Sequence, residues 1–214
     1  GKVVYVDSGS TDGSLEHARS VGTTVVELDT QTGFTAARAR NAGLDAIVNA
    51  GGPLDYVQFV DGDCELNPDW IAAGVDALNG DAGLSTVFGR LRERHPEASL
   101  YNRLCDDEWN VPLGDAAHSG GVAMYRAQPL VALGGFDATL IAGEEPDLCL
   151  RLRREGWIIR RIDAEMGWHD AAMTRFSQWW KRAARSGHAY AEHVWRHGKQ
   201  ADSGWKRQLI SIGI

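Results

Sequence analysis

The sequence is short of cysteine and of long apolar runs, and both shortages exclude classes of protein. Its three cysteines lie far apart and form no CxxC pair: Cys64, Cys105 and Cys149. An odd number of isolated cysteines indicates neither a disulfide framework nor a zinc site, and it fits a reducing compartment such as the cytoplasm. No apolar run reaches the ~18–20 residues of a membrane-spanning helix. The pattern of a signal peptide, a basic segment followed by an apolar stretch, is not seen in the sequence.

Basic residues are also in the minority, with 22 Lys and Arg against 29 Asp and Glu and a net charge of -7. Nucleic-acid binding depends on Lys and Arg that neutralise phosphates, so nucleic acid is not an expected partner. The acidic surplus suits a site that holds metal. The length of 214 residues, with 43% hydrophobic and 24% charged residues, is typical of one soluble globular domain.

Short apolar runs alternate with amphipathic segments along the chain, which predicts an α/β fold with helices on both faces of a sheet. We expect strands at residues 3–6, 24–28, 56–60, 84–88, 121–125 and 157–162. We expect helices near residues 15–18, 35–48, 68–78, 128–133, 147–155 and 173–197. The first run is continuous and predicts a strand buried on both faces of a parallel sheet.

Two aspartates, Asp61 and Asp63, directly follow the strand predicted at residues 56–60. Ligands of open α/β sheets bind outside the carboxyl ends of the strands. Carboxylate oxygens suit Mg²⁺ or Mn²⁺, which bridge them to substrate phosphates. An EF-hand is excluded because its required Gly and Glu positions hold Leu66 and Ala72. A DxD sequence alone is also typical of a polar turn, so the metal hypothesis depends on its context.

Asp7 occupies the equivalent place after the first predicted strand, and Ser8 and Gly9 follow it. Small residues at this position let the backbone approach a nucleobase or ribose closely. The same turn on its own is typical of a helix cap.

Several segments, taken in order, resemble the motifs of the family-2 glycosyltransferases. Residues 6–12 resemble the V-D-x-G-S-T-D turn, Arg40 and Asn41 match the A-R-N helix motif, and residues 61–63 match DxD. Residues 134–137 resemble the G-G-F-D turn, and residues 143–151 resemble the G-E-D-x-D-L-x-x-R motif. The last motif departs from the family pattern, because Glu145 stands where Asp is usual and Pro146 follows it.

The resemblance implies a GT-A fold, in which a Rossmann-like nucleotide-binding half is fused to an acceptor-binding half around a central, mostly parallel sheet. We expect one domain over residues 1–214, made of a nucleotide-sugar half (1–90), an acceptor half (91–172) and a C-terminal helical segment (173–214). The strand and helix that usually precede the V-D-x-G-S-T-D turn are not seen, so we expect that the sequence lacks the first strand of the fold.

The resemblance also implies an activity, the inverting transfer of a sugar from a UDP- or GDP-sugar to a carbohydrate or lipid-linked acceptor in polysaccharide or glycolipid biosynthesis. The catalytic base would be Glu145, with Glu144 and Asp147 as alternates. The nucleotide would contact Asp7, Ser8, Gly9, Arg40 and Asp61, and Mn²⁺ or Mg²⁺ would bind Asp61, Asp63 and His169. Three carboxylates at a helix start also stabilise the helix dipole, and a single His is often structural.

The last predicted helix carries tryptophans among basic residues, namely Arg175, Trp179, Trp180, Lys181, Arg182 and Arg185, and residues 208–214 turn apolar. Basic residues and tryptophans favour an anionic membrane surface. This pattern predicts peripheral contact with the inner face of the plasma membrane, with a helix face packed on the sheet as the alternative.

Two other functions remain open from the sequence. A nucleotidyltransferase would also use a nucleotide, a metal and carboxylates, but the Gly-rich phosphate loop of that class is not visible. A binding module with inactive carboxylates is the second alternative, and the intact acidic cluster at residues 144–147 argues against it.

Overall fold

The computed structural model describes residues 1–198. The strands are β1 (Val4–Asp7), β2 (Thr24–Glu27), β3 (Tyr56–Phe59), β4 (Cys64–Leu66), β5 (Leu84–Glu93), β6 (Gly114–Asp115), β7 (Ala123–Arg126) and β8 (Ile158–His169). The helices are α1 (Ser14–Ser20), α2 (Ala36–Asn49), α3 (Trp70–Gly80), α4 (Leu100–Glu108), α5 (Ala127–Ala132), α6 (Glu144–Arg154) and α7 (Phe176–His197).

The described strands form two sheets. A parallel pair joins β1 to β2, and a larger sheet has the order β3-β7-β5-β8-β4, with β6 paired to β8. Within the larger sheet β5 and β8 run parallel, whereas the β3–β7, β5–β7, β4–β8 and β6–β8 pairs are antiparallel. The predicted α/β class is therefore confirmed, but the sheet is mixed.

The expectation of a mostly parallel sheet was wrong because a sequence pattern predicts strands without their direction. β7 returns to the sheet after α4 and β6, and it inserts antiparallel between β3 and β5. The expectation that β1 is buried on both faces was also wrong. Val4, Tyr5 and Val6 are only half-buried, since β1 pairs with β2 alone among the described strands.

One hydrophobic core joins the larger sheet to the helices that pack on it. Its largest wholly buried side chains include Trp70 of α3, Met124 of β7, Leu148 of α6 and Ile159 of β8. α3 packs closely enough that a Cβ on Gly74 would lie 2.9 Å from the Met124 methyl carbon. This core fixes the ends of β3, β7 and α6 relative to one another, and those ends carry the candidate site.

Every predicted strand and helix has a counterpart, but three elements were not predicted: β4, α4 and β6. β4 and β6 are only 3 and 2 residues long, and they exist because they pair with β8. β8 continues to His169, well past the predicted end at residue 162. This extension places His169 directly opposite Cys64 of β4.

No helix within residues 1–198 has the length and apolarity needed to cross a membrane. α7 begins at Phe176, and its exposed residues include Phe176 and Trp180. The apolar segment at residues 208–214 lies outside the described residues.

Candidate active site

Arg40 of α2 is the centre of a cluster of three carboxylates. Its Nη2 lies 2.8 Å from Oδ1 of Asp61, and its Nη1 lies 2.6 Å from Oε1 of Glu144 and 2.8 Å from Oε1 of Glu145. The side chains of Arg40, Glu144 and Glu145 are 10%, 7% and 15% exposed, and that of Asp61 is 41% exposed. A single buried cation thus bridges the end of β3 to the start of α6.

The two helices present these side chains for local reasons. α2 is capped by Thr35, whose hydroxyl accepts a hydrogen bond from the Arg38 amide at 3.2 Å. α6 begins after Gly143, whose φ of 85° is strained for any residue with a side chain. The first turn of α6 carries Glu144 and Glu145, where negative charge is favoured by the helix dipole.

The cluster changes the acidity of its members. Burial acts against the charge of Arg40, but the charges of Glu145, Asp61 and Glu144 outweigh it and raise the pKa of Arg40. Burial, together with the charge of Glu144, raises the pKa of Glu145 to about 7 against the lowering effect of Arg40. A pKa near neutrality is suited to a general base.

Gly121 provides the space in which the cluster forms. A Cβ at this position would lie 2.5 Å from Nη2 of Arg40, 2.5 Å from Oδ2 of Asp61 and 3.1 Å from Oε1 of Glu145. Its neighbour Gly120 has no heavy atom within 4 Å of such a Cβ. A side chain at Gly121 would therefore require Arg40 and Asp61 to shift, whereas one at Gly120 would not.

Asn41, next to Arg40 on α2, holds the turn that supports the arginine. Its Nδ2 donates to the Phe136 carbonyl at 2.7 Å, and its Oδ1 accepts from the Phe136 amide at 2.9 Å. The Phe136 ring lies 5.6 Å from Cζ of Arg40. Gly135 has a φ of 71°, and a Cβ there would lie 2.6 Å from Oδ1 of Asn41. Asn41 and the Gly135–Phe136 turn therefore position the guanidinium.

Asp147, the third carboxylate of α6, has different partners. It is 4% exposed, its Oδ2 accepts from Nε of Arg151 at 2.8 Å, and its Oδ1 lies 2.8 Å from Nε2 of His197 on α7. Arg151 also donates to the Leu133 and Gly135 carbonyls. The structure thus separates Asp147, which ties α6 to α7, from Glu144 and Glu145, which contact Arg40.

A second group of ligand atoms lies where β4 pairs with β8. Nε2 of His169 is 3.3 Å from Oδ2 of Asp63, and Sγ of Cys64 is 3.7 Å from Oδ1 of Asp63. Ligand atoms of the three side chains all lie within 4.8 Å of one another. The hydrogen bond from His169 lowers the pKa of Asp63. Burial, and then the charges of Asp63 and Asp61, raise the pKa of the Cys64 thiol.

Asp7 shapes the turn after β1. Its buried carboxylate accepts the Gly9 amide at 2.8 Å and the Ser10 amide at 3.2 Å. Hydrogen bonds from Ser10 and then Gly9 lower the pKa of Asp7. Ser8 and Gly9 are exposed at the tip of this turn.

The structure therefore brings together two clusters of predicted site residues. The first contains Arg40, Asp61, Glu144 and Glu145, and the second contains Asp63 and His169. Only Gly62 separates Asp61 of the first cluster from Asp63 of the second. The catalytic, nucleotide and metal roles of these residues stay predictions. Sequence reasoning assigned no role to Gly121, Phe136 or Cys64. The glycine pair at 120–121 and the G-G-F-D turn are sequence signals that could have identified Gly121 and Phe136. No signal in the sequence indicates that Cys64 lies opposite His169.

Comparison with known proteins places the chain in a family. The model of glycosyl transferase family 2 matches residues 2–122. Glycosyltransferase AglE of Haloferax volcanii is 28% identical over 180 residues, which cover 79% of this chain and 57% of that protein. Succinoglycan biosynthesis protein ExoA of Rhizobium meliloti is 28% identical over 176 residues, covering 76% and 52%. The chain thus spans little more than half the length of these curated relatives.

Solved structures of glycosyltransferases share the fold. Mannosyltransferase PcManGT from Pyrobaculum calidifontis, in complex with GDP-Man and Mn²⁺, has a TM-score of 0.63 and 22% identity, covering 99% of this chain and 59% of that one. Glucosyl-3-phosphoglycerate synthase from Mycobacterium tuberculosis, in complex with Mn²⁺, UDP and glucosyl-3-phosphoglycerate, has a TM-score of 0.59 and 20% identity, covering 95% and 71%. The GT-A fold is thereby confirmed, and the family match over more than half of the chain shows that this protein belongs to glycosyl transferase family 2.

Proposed function

We propose that this chain catalyses the metal-dependent transfer of a sugar from a nucleoside-diphosphate sugar to an acceptor hydroxyl, with inversion at the anomeric carbon. The observation that carries the proposal is the buried cluster in which Arg40 holds Glu145, Glu144 and Asp61 together. Family membership favours glycosyl transfer over nucleotidyl transfer. The burial of Glu145 among charged side chains, with a raised pKa, is typical of active sites and favours an enzyme over an inactive binding module.

Glu145 acts as the general base in this proposal. Its carboxylate takes the proton of the acceptor hydroxyl as the hydroxyl oxygen attacks the sugar. A base is most effective when its pKa lies near the working pH, which the pKa of about 7 for Glu145 satisfies. Arg40 holds the carboxylate in place at 2.8 Å. Glu144 remains an alternate, whereas the pairing of Asp147 with Arg151 and His197 favours a structural part for Asp147.

The metal ligands in this proposal are Asp61, Asp63 and His169. Asp63 and His169 fit a divalent cation, because they already lie 3.3 Å apart and no Lys or Arg among the described residues pairs with Asp63. Asp61 pairs with Arg40 in this structure, so it would reach the cation through its second oxygen or by turning from Arg40. A bound Mn²⁺ or Mg²⁺ supplies charge neutralisation for the departing diphosphate. Asp61 belongs to the Arg40 cluster and lies two residues before Asp63, which suits it to contact both the metal and the nucleotide.

The donor in this proposal is a UDP- or GDP-sugar, and its nucleotide lies against the turn formed by Asp7, Ser8 and Gly9. Asp7 holds this turn by accepting backbone amides, while Ser8 and Gly9 leave an exposed backbone for a base or ribose. The two similar solved structures contain GDP-Man with Mn²⁺ and UDP with Mn²⁺. These ligands support the choice of donor without deciding between the two bases.

The acceptor in this proposal is a carbohydrate or lipid-linked sugar, and the protein works at the cytoplasmic face of the membrane in polysaccharide or glycolipid biosynthesis. One similar protein is named for succinoglycan biosynthesis. Exposed Trp180, Lys181 and Arg185 of α7 provide aromatic and basic contacts for anionic lipid. Sedimentation with anionic and neutral vesicles at low and high salt tests this contact. We expect salt-sensitive binding to anionic vesicles alone, and its absence would contradict the membrane proposal.

The experiment that tests the function is a screen of UDP-, GDP- and dTDP-sugars by thermal shift with and without Mn²⁺, followed by turnover assays on the sugars that bind. A bound donor stabilises the folded state by mass action, by about 2.7 kcal/mol at a hundred times its Kd. We expect the sugars of one nucleotide class to stabilise the protein, and to do so only when Mn²⁺ is present. In the turnover assays we expect slow hydrolysis of the donor that binds. Binding without any turnover across the panel and a range of sugar acceptors would favour the binding module.

A further inference from the structure

Cys64 lies in the candidate metal site, although neither the family match nor the proposed mechanism gives it a role. It is the direct cross-strand partner of His169 in the β4–β8 pair. Side chains in such a pair share one face of the sheet, with their Cβ atoms roughly 4.5–5.5 Å apart. Asp63, the residue before Cys64, approaches the same point from the preceding turn. A thiol, an imidazole and a carboxylate therefore converge from two strands and a turn.

The spacing of these three groups fits a cation that binds sulfur. Zinc binds sulfur at about 2.3 Å and nitrogen or oxygen at about 2.0–2.2 Å, which places neighbouring ligand atoms roughly 3.5 Å apart in a tetrahedral site. The structure has 3.3 Å between Nε2 of His169 and Oδ2 of Asp63, and 3.7 Å between Sγ of Cys64 and Oδ1 of Asp63. These two distances involve different oxygens of Asp63. With one ligand atom taken from each residue, the three atoms lie within 4.8 Å of one another, so they must approach by up to roughly 1 Å to reach the tetrahedral spacing.

The types of ligand favour a different metal from the one proposed for catalysis. Oxygen-rich sites suit Mg²⁺ and Mn²⁺, whereas a thiolate favours Zn²⁺ and other soft cations. A given set of nitrogen, oxygen and sulfur ligands also binds Zn²⁺ more tightly than Mn²⁺. Three protein ligands leave a fourth position open, as in zinc sites that bind a further molecule. Without Cys64, the carboxylate and imidazole of Asp63 and His169 would suit Mn²⁺. The thiol of Cys64 shifts the selectivity of the site towards Zn²⁺ and other soft cations.

We propose that Cys64, Asp63 and His169 form a site for thiophilic cations, Zn²⁺ or Cd²⁺, which bind there more tightly than Mn²⁺ and displace it. On binding, the Sγ–H bond of Cys64 breaks, its proton passes to solvent and an Sγ–metal bond forms, so that no oxidation or reduction takes place. Tetrahedral Zn²⁺ with three protein ligands has one open position, whereas octahedral Mn²⁺ has more. Bound Zn²⁺ therefore leaves fewer positions for the diphosphate of the donor and inhibits transfer. The inhibition rests on the proposed function, whereas the binding of Zn²⁺ or Cd²⁺ does not.

The test is a titration of the metal-free protein with Cd²⁺, followed by the ultraviolet charge-transfer absorption of a cadmium–thiolate bond. Cys64→Ser removes the thiol, His169→Ala removes the imidazole, and Cys105→Ala is the matched control because Cys105 is a buried thiol of α4. We expect the band in the wild type and in Cys105→Ala and no band in Cys64→Ser. In His169→Ala we expect Cd²⁺ affinity at least about tenfold weaker, which corresponds to about 1.4 kcal/mol.

A second measurement follows Mn²⁺ directly, since free Mn²⁺ has a strong paramagnetic resonance signal that bound Mn²⁺ loses. Zn²⁺ should release Mn²⁺ from the wild type at much lower concentration than from Cys64→Ser. Circular dichroism and thermal unfolding confirm that each variant is folded before it is compared. A band that persists in folded Cys64→Ser, or that is missing from the wild type, would overturn the site. A chain that shows the band and the release of Mn²⁺ but transfers no sugar would refute the proposed function and leave this inference standing.

Discussion

Arg40 forms ion pairs with Asp61, Glu144 and Glu145, whereas the side chain of Asp63, two residues beyond Asp61, faces only His169 and the Cys64 thiol among the described residues. The first cluster carries its own cation and is largely buried. The second has donor atoms that converge without a permanent positive charge. The comparison indicates that the first cluster is organised before any ligand arrives, while the second is completed by a cation.

The first cluster predicts the largest effect, because it depends on one side chain. Arg40→Met leaves three carboxylates without their cation, and breaking a buried ion pair typically costs about 3–5 kcal/mol. The loss should shrink in acid, because protonation of Glu145, whose pKa is about 7 even beside Arg40, removes one of the three mutually repelling charges. Urea unfolding of variant and wild type at about pH 8 and about pH 5 measures both effects. A loss that does not change with pH would show that the repulsion is not its cause.

Glu145 should affect turnover far more than binding. Glu145→Gln removes the base and is expected to lower kcat by roughly 10²-fold or more, with the donor Kd nearly unchanged. For the wild type, kcat should rise with pH up to about 7 and then level off, since the carboxylate is active only when ionised. Stopped assays across pH, with donor binding followed by calorimetry, provide the data. Near-full turnover by Glu145→Gln, together with inactive Asp147→Asn, would move the base to Asp147.

Asp63 tests the second cluster. Asp63→Ala should weaken the binding of UDP or GDP in the presence of Mn²⁺ by roughly tenfold, and it should leave the metal-free affinity unchanged, because the carboxylate acts through the cation. Asp76→Ala, which removes an exposed aspartate of α3, is the matched control. Calorimetric titrations with and without Mn²⁺ distinguish the two variants. Equal affinities for Asp63→Ala and the wild type in both conditions would contradict the metal site.

Gly121 provides the smallest expected effect and the sharpest control. Gly121→Ala forces Nη2 of Arg40 and Oδ2 of Asp61 to move, since its Cβ would lie 2.5 Å from each. Both atoms are ends of side chains, so we expect a cost at the low end of overpacking, about 1 kcal/mol. Gly120→Ala has open space and should be close to neutral. Thermal unfolding and kcat of the two variants, measured side by side, test the difference. Equal losses in both would mean that backbone flexibility at 120–121, and not space beside Arg40, requires glycine.

Much of the candidate site could be predicted from the sequence, because its residues follow predicted strands or lie in recognisable motifs. Asp61, Arg40 and Glu145 were assigned in advance, and the structure brings them together. Asp147 shows the limit of this reasoning, since its motif position does not reveal that Arg151 and His197 occupy both of its oxygens. Cys64 shows the same limit, because β4, which places Cys64 opposite His169, is only 3 residues long and is too short to be recognised from a sequence pattern.

The sequence by itself determined the α/β class, the family and the identity of the carboxylates, because these depend on local periodicity and on short motifs. The tertiary structure alone decided that the sheet is mixed, that one arginine holds three carboxylates, and that Cys64, Asp63 and His169 meet. These features join residues that are far apart along the chain. Strand direction, register and side-chain approach arise from packing of the whole chain, which no local pattern encodes.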